Sequence, residues 1–260
     1  MMTEEQPMKS SHKFNDTDAY IQEMLRTFKL IDIRANYEEE IQKAIKNNLS
    51  YKEFLLNLIR LEELGKKTRL VNRNIENAGF ERYQTFENYD YTFHDHRYTQ
   101  KLKSLETLDF MYHTQNVILI GPPGVGKSHI ATALGINACK EGFKVLFINA
   151  AELMDKLIKA LDEGNIEREF KKLYKIDLLI IDELGYINMD KEKESLFFQL
   201  IRQRYEKKSL VITTNLPFKR WNEVFTSQVA ATAILDRLLH HSHVISITGD
   251  SYRVKDKNKG

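Results

Sequence analysis

Four consecutive apolar residues, Val117-Ile118-Leu119-Ile120, run directly into Gly121-Pro122-Pro123-Gly124-Val125-Gly126-Lys127-Ser128. An apolar run that breaks into glycines predicts a buried strand opening into a tight loop. Ile130, Leu134 and Ala138, recurring at helical spacing, predict a helix beyond it that ends near Gly142. The loop fits G-x-x-x-x-G-K-[ST]. Glycines let backbone N–H groups turn inward around a phosphate without side-chain clash. A helix starting near Lys127 aims its positive end at the same anion. Lys127 is then expected to reach the β- and γ-phosphates, and the Ser128 hydroxyl to ligate Mg²⁺. The competing reading is a glycine turn that binds nothing; the strand before it and the helix after it argue against that.

Three more apolar runs extend this pattern. Lys144–Asn149, Asp177–Asp182 and Ser209–Asn215 predict strands, and His243–Thr248 a last one. Helical spacing fills the gaps over 151–174 (interrupted at Gly164-Asn165), Leu196–Tyr205 and Ala230–His241. Alternating strands and helices after residue 98 predict an α/β domain, a five-stranded parallel sheet with helices on both faces. The run Leu178-Leu179-Ile180-Ile181 suits a strand buried on both faces, and it ends in Asp182-Glu183. Acids at that end lie where open α/β sheets bind ligands. Asp182 is expected in the Mg²⁺ shell, and Glu183 is placed to orient or deprotonate a water. Two surface acids closing a strand are the plainer alternative. Asn215, at the end of another strand, is either a γ-phosphate or water contact or a simple cap.

Upstream the chain reads differently. From Asp16 to about Ala78 no strand signal appears. Tyr20, Met24, Phe28 and Ile31 form one helical stripe, a second segment covers roughly 34–47 with Ile41 and Ile45, and Ser50-x-x-Glu53 is a capping box before Phe54, Leu58 and Leu61. Lys66, Lys67, Arg69 and Arg73 make a basic cluster, either a solvated face or a set of DNA-phosphate contacts, with solvent slightly favoured. The expected division is 1–80 as a small all-helical domain for oligomerisation or partner contact, 81–97 as a linker, and 98–260 as the nucleotide-binding domain. The linker aromatics Tyr83, Phe86, Tyr89, Tyr91 and Phe93 either border a base or anchor the linker, and a short helix is expected over 98–110. Residues 1–15 are polar and expected to be poorly ordered.

Composition narrows the partners. A formal net charge of only +2 means that any nucleic-acid role rests on local basic patches. The single cysteine, Cys139, excludes an internal disulfide or a cysteine-based zinc site, and its helical context suggests a small buried thiol. No apolar run approaches the roughly 18 residues that span a bilayer. A soluble cytoplasmic protein without membrane partners is expected.

Taken together, the motifs resemble a family. Asp182-Glu183 after one strand and Thr213-Thr214-Asn215 on another are similar to AAA+ ATPases. Gly121–His129, Asp182–Tyr186, Arg204-Tyr205-Glu206, Thr214–Phe218 with Trp221, Leu235–His240 and Asp250–Arg253 occur in the order found in IstB-type helper ATPases of bacterial insertion sequences, relatives of the helicase loader DnaC. The resemblance covers about residues 15–254. It implies ATP and Mg²⁺ as ligands, with Gly121, Pro122, Pro123, Gly124, Val125, Gly126, Lys127, Ser128 and His129 around the nucleotide. It further implies Asn215 as the sensor-1 residue, Arg253 at the sensor-2 position, and Arg237 as an arginine finger serving a neighbouring subunit. Arg220 is a weaker finger candidate, and a surface ion pair with Asp236 or a nearby acid is the alternative for Arg237. Only 23 residues follow Arg237, too few for the helical lid of most AAA+ proteins. A half-covered nucleotide would then need a second subunit, which predicts an ATP- and DNA-dependent homo-oligomer. The implied partners are double-stranded DNA and a cognate transposase; Lys156, Lys159, Arg168, Lys171 and Lys172 are the candidate DNA contacts on this reading. A DnaC-like helicase loader acting on single strands is the other reading.

Overall fold

The computed structural model describes residues 17–91, 96–249 and Ser251. Residues 1–15, Phe93, Arg253 and the basic tail lie outside that set. The chain divides into two compact units, residues 1–69 and 70–260, with the division inside one helix.

The first unit is helical: α1 (Thr17–Thr27), α2 (Ile31–Lys46) and the start of α3 (Tyr51–Asn77). The capping box forms as expected, with Ser50 N donating to Glu53 Oε2 at 2.8 Å and Glu53 N to Ser50 Oγ at 3.3 Å. The expected stripe from Tyr20 to Ile31 does not form. Lys29 takes a left-handed turn (φ 57°), which breaks the helix, and Tyr20, Phe28 and Ile31 are exposed. The second helix therefore starts at Ile31 instead of near 34, because buried Glu62 caps it: Glu62 Oε2 accepts from Asp32 N at 2.9 Å and Ile33 N at 3.2 Å. Arg69 bridges Asp32 and Glu62, and Lys66 lies 3.8 Å from Glu62. Half of the basic cluster thus answers acids of its own unit.

The second unit is built on five parallel strands: β1 (Asn116–Ile120), β2 (Val145–Asn149), β3 (Leu178–Asp182), β4 (Ser209–Thr214) and β5 (Ser242–Ser246). Their order is β2-β3-β4-β1-β5. Ile118, Leu179, Ile180 and Ile212 are fully buried, as expected of strands covered on both faces. The connecting helices are α4 (His96–Glu106), α5 (Asp109–Tyr112), α6 (Lys127–Lys140), α7 (Ala150–Asp162), α8 (Ile166–Tyr174), α9 (Lys191–Arg204) and α10 (Gln228–Leu239). The single helix expected over 98–110 is two, separated where Leu108 adopts φ 60°. α9 starts at Lys191, five residues before the expected Leu196, because Asp190 Oδ1 accepts from Glu192 N and Lys193 N at 3.0 and 2.8 Å.

Arg204 ties the opposite end of the sheet from the phosphate loop. It is buried, and its guanidinium donates to the carbonyls of Leu173, Ile176, Asp177 and Ser209 at 2.8–3.3 Å. Burial lowers its pKa to about 10, so it keeps its charge at neutral pH. Cys139 is buried in α6, and burial pushes its thiol up to about 12, so it is neutral and inert. Among the described residues no helix is long and apolar enough to cross a membrane.

Candidate active site

The loop between β1 and α6 owes its shape to glycines. Gly124 and Gly126 have φ 81° and 94°, which side-chain-bearing residues rarely adopt. A Cβ on Gly121 would lie 2.3 Å from Ile247 O, so only glycine lets the loop leave β1 this close to the segment after β5. Lys127 Nζ donates to the carbonyls of Gly121 and Pro122 at 2.8 Å each, which holds the ammonium on the loop.

The acids stand beside it. Ser128 Oγ donates to Asp182 Oδ1 at 3.1 Å, and Thr213 Oγ1 donates to the same oxygen. That hydroxyl also accepts from Glu183 N at 2.9 Å, so one threonine fixes both acids. Glu183 follows in a left-handed turn (φ 61°), and its side chain is exposed where that of Asp182 is buried. Asn149 is paired in register with Asp182 on the adjacent strand, and its Nδ2 donates to Glu183 Oε2 at 3.0 Å. On the other flank, Asn215 Oδ1 is buried without a hydrogen-bond partner.

These groups share one cavity of about 650 Å³, lined by the loop from Pro123 to His129 and by Asn149, Asp182, Glu183, Thr213 and Asn215. The segment before α4 forms another wall, with Arg82, Gln84, Asn88, Tyr89 and Asp90. His129 Nε2 lies 2.9 Å from Thr85 O, and its ring meets Tyr89 edge to face, which anchors this segment on the loop helix. Of the linker aromatics, Tyr89 borders the cavity, whereas Phe86 is buried in the core and Tyr83 is exposed.

The fold around this cavity is shared with solved replication proteins. AMPPCP-bound DnaA from Aquifex aeolicus superposes with a TM-score of 0.56 at 20% identity, over 69% of this chain and 55% of that one. DnaI gives 0.55 at 18% identity, over 64% and 91%. Both likenesses establish the fold alone. The pattern of the family described as IstB-like ATP binding protein matches residues 23–260.

The chain belongs to the IstB-like family.

Its IstB-like relatives include an ATP-binding protein of insertion sequence IS21 from Pseudomonas aeruginosa, 41% identical over 91% of this chain and 89% of that one. The corresponding protein of IS232 from Bacillus thuringiensis subsp. berliner is 38% identical, over 89% and 93%.

Other residues singled out in this IstB-like sequence lie away from the cavity. Arg237, on α10, donates to Ala233 O at 2.8 Å and holds its guanidinium 4.8 Å from the Phe198 ring centroid. It makes no ion pair with Asp236 and does not line the cavity of its own chain. Arg220 is clamped by both oxygens of Glu223 at 2.7 Å. Of the five basic residues on α7 and α8, Lys156 and Lys172 flank Glu169 at 3.2 and 2.7 Å, and Lys159 lies 4.0 Å from Glu163. Arg168 and Lys171 are exposed and form no ion pair among the described residues. Asn149 and Thr213 had no assigned role in the sequence; the strand register brings both to the acids.

Proposed function

We propose that this chain is an ATP-hydrolysing transposition helper, which assembles on duplex target DNA, recruits and stimulates its transposase, and uses hydrolysis to limit the lifetime of the complex. The observation that carries the reading is the convergence of Lys127, Ser128, Asp182, Glu183 and Asn215 on one cavity in a chain of the IstB-like family.

Each group suits a distinct task. The loop N–H groups and Lys127 take the β- and γ-phosphates. Ser128 Oγ and Asp182 Oδ1, hard oxygens 3.1 Å apart, fit Mg²⁺. When bound, that ion would neutralise charge on the phosphate oxygens. Glu183 accepts a proton from the attacking water, and the unpartnered oxygen of Asn215 accepts its second hydrogen. Arg237 of a neighbouring protomer supplies a further positive charge at the γ-phosphate, beside that of Lys127, a contribution worth roughly 10³–10⁵ in rate for such arginines. DNA is held through its phosphates, with Arg168 and Lys171 the most available of the basic side chains, so little base readout is expected.

The test is Glu183→Gln, which removes the base and keeps the shape. The variant should bind ATP and remain on duplex DNA far longer than the parent chain under the same ATP. An unchanged lifetime would overturn hydrolysis-driven release. A strong preference for single-stranded over duplex DNA in the same assay would favour the helicase-loader reading instead.

A further inference from the structure

At the end of the sheet away from the phosphate loop, Glu206 in the α9–β4 turn meets His240 and His241, the two residues that follow α10. We propose that these three side chains form a site for a borderline divalent transition metal of the zinc class, separate from the Mg²⁺ position at Ser128 and Asp182.

The distances carry the argument. Glu206 Oε1 lies 3.6 Å from His240 Nδ1 and 3.5 Å from His241 Nε2. Two ligands bonded at roughly 2.1 Å to one tetrahedral zinc stand about 3.4 Å apart. One ligand atom from each of the three residues falls within 4.8 Å of the others. The donor set, two imidazoles and one carboxylate, is that of open three-ligand zinc sites, in which water takes the fourth position. Each side chain is about half exposed (51–53%), so an ion can enter from solvent.

The surroundings hold the three groups together. Glu206 adopts a left-handed backbone (φ 55°), an uncommon conformation for a non-glycine residue, and it turns the carboxylate toward the histidines. The two imidazole rings are 4.1 Å apart between centroids, and Tyr205 Oη, 2.7 Å from His240 Nδ1, makes a hydrogen bond that a metal at that nitrogen would displace. A single divalent cation can take one donor atom from each of the two imidazoles and the carboxylate. The C-terminal end of α10 adds a negative dipole end that favours a cation. Bound metal would fasten the α9–β4 turn to the end of the helix that carries Arg237, one turn upstream.

The test uses the full chain without a polyhistidine tag, in excess Mg²⁺ so that the phosphate-loop oxygens do not compete. Calorimetric titration with Zn²⁺ should give one equivalent bound per chain. Co²⁺ should give visible absorption without a thiolate band, since Cys139 is buried. His241→Ala and Glu206→Gln should each weaken Zn²⁺ binding at least tenfold and abolish the Zn²⁺-dependent rise in Tm. Glu206→Gln, nearly isosteric, decides the matter if His241→Ala does not fold. No Zn²⁺ binding below about 100 μM by the parent chain, or equal binding by the variants, would overturn the proposal.

Discussion

The side-chain amide of Asn149 divides its two ends between two elements: Nδ2 donates to Glu183 Oε2 at 3.0 Å, while Oδ1 accepts from Ala151 N at 2.9 Å and caps α7. The carboxylate proposed as the base is therefore held by a neighbouring strand, and releasing it requires breaking one hydrogen bond. Asn149→Asp keeps the capping oxygen and replaces the donor with a repelling charge. Phosphate release in the absence of DNA should rise several-fold, with ATP affinity unchanged. Asn149→Ala should do the same and also lose about 1 kcal/mol of stability with the cap. Unchanged basal release in both variants would show that the contact does not restrain Glu183.

Gly185 is the second point where the backbone serves the site. A Cβ there would lie 2.0 Å from Asn215 Oδ1 and 2.8 Å from Thr214 Oγ1. Gly185→Ala should therefore displace Asn215, destabilise the chain by about 1–3 kcal/mol, and slow hydrolysis more than it weakens ATP binding. Denaturant unfolding and steady-state phosphate release read the two effects separately. Full activity with parental stability would mean that Asn215 does not need its present position.

Glu169 predicts a pH dependence. Burial raises its carboxyl pKa, but the ammonium groups of Lys172 and Lys156 more than offset this, and the net value is lowered. A carboxylate with a lowered folded pKa adds stability above its unfolded pKa, about 4.3, and this is lost as pH falls through the folded value. Glu169→Gln should therefore be less stable than the parent at pH 7, and the gap should close in acid. The same variant should raise DNA affinity, because Lys156 and Lys172 lose their internal partner. A stability gap that persists unchanged below pH 3 would contradict the assignment.

Much of this was legible in the chain itself, and the exceptions share a physical cause. Strands β1, β3 and β4 appear as apolar runs because they are buried along their length, and the phosphate loop because its glycines must sit at fixed intervals. Asp182 and Glu183 stand out because acids rarely close so apolar a run. Asn149 was invisible for the converse reason: a polar residue at a strand end reads as a cap, and only the register with Asp182 shows its second contact. The stripe from Tyr20 to Ile31 failed because periodicity cannot see a left-handed residue at Lys29, nor a cap supplied by Glu62 from another helix. The basic residues of α7 and α8 looked equivalent in sequence, and Glu169 separates them into paired and available sets.

The central claim is that each nucleotide is hydrolysed between two protomers, one giving Glu183 and the other Arg237. Arg237→Ala alone should abolish turnover and leave ATP affinity within a few-fold, and Glu183→Gln alone should be equally inactive. The direct measurement is phosphate release, with duplex DNA present, from the two inactive variants mixed together. A mixed assembly contains sites with an intact Glu183 from one variant facing an intact Arg237 from the other, so activity should return to a sizeable fraction of the parental rate. A mixture as inactive as its separate components, under conditions where the two variants co-assemble on DNA, would contradict the account.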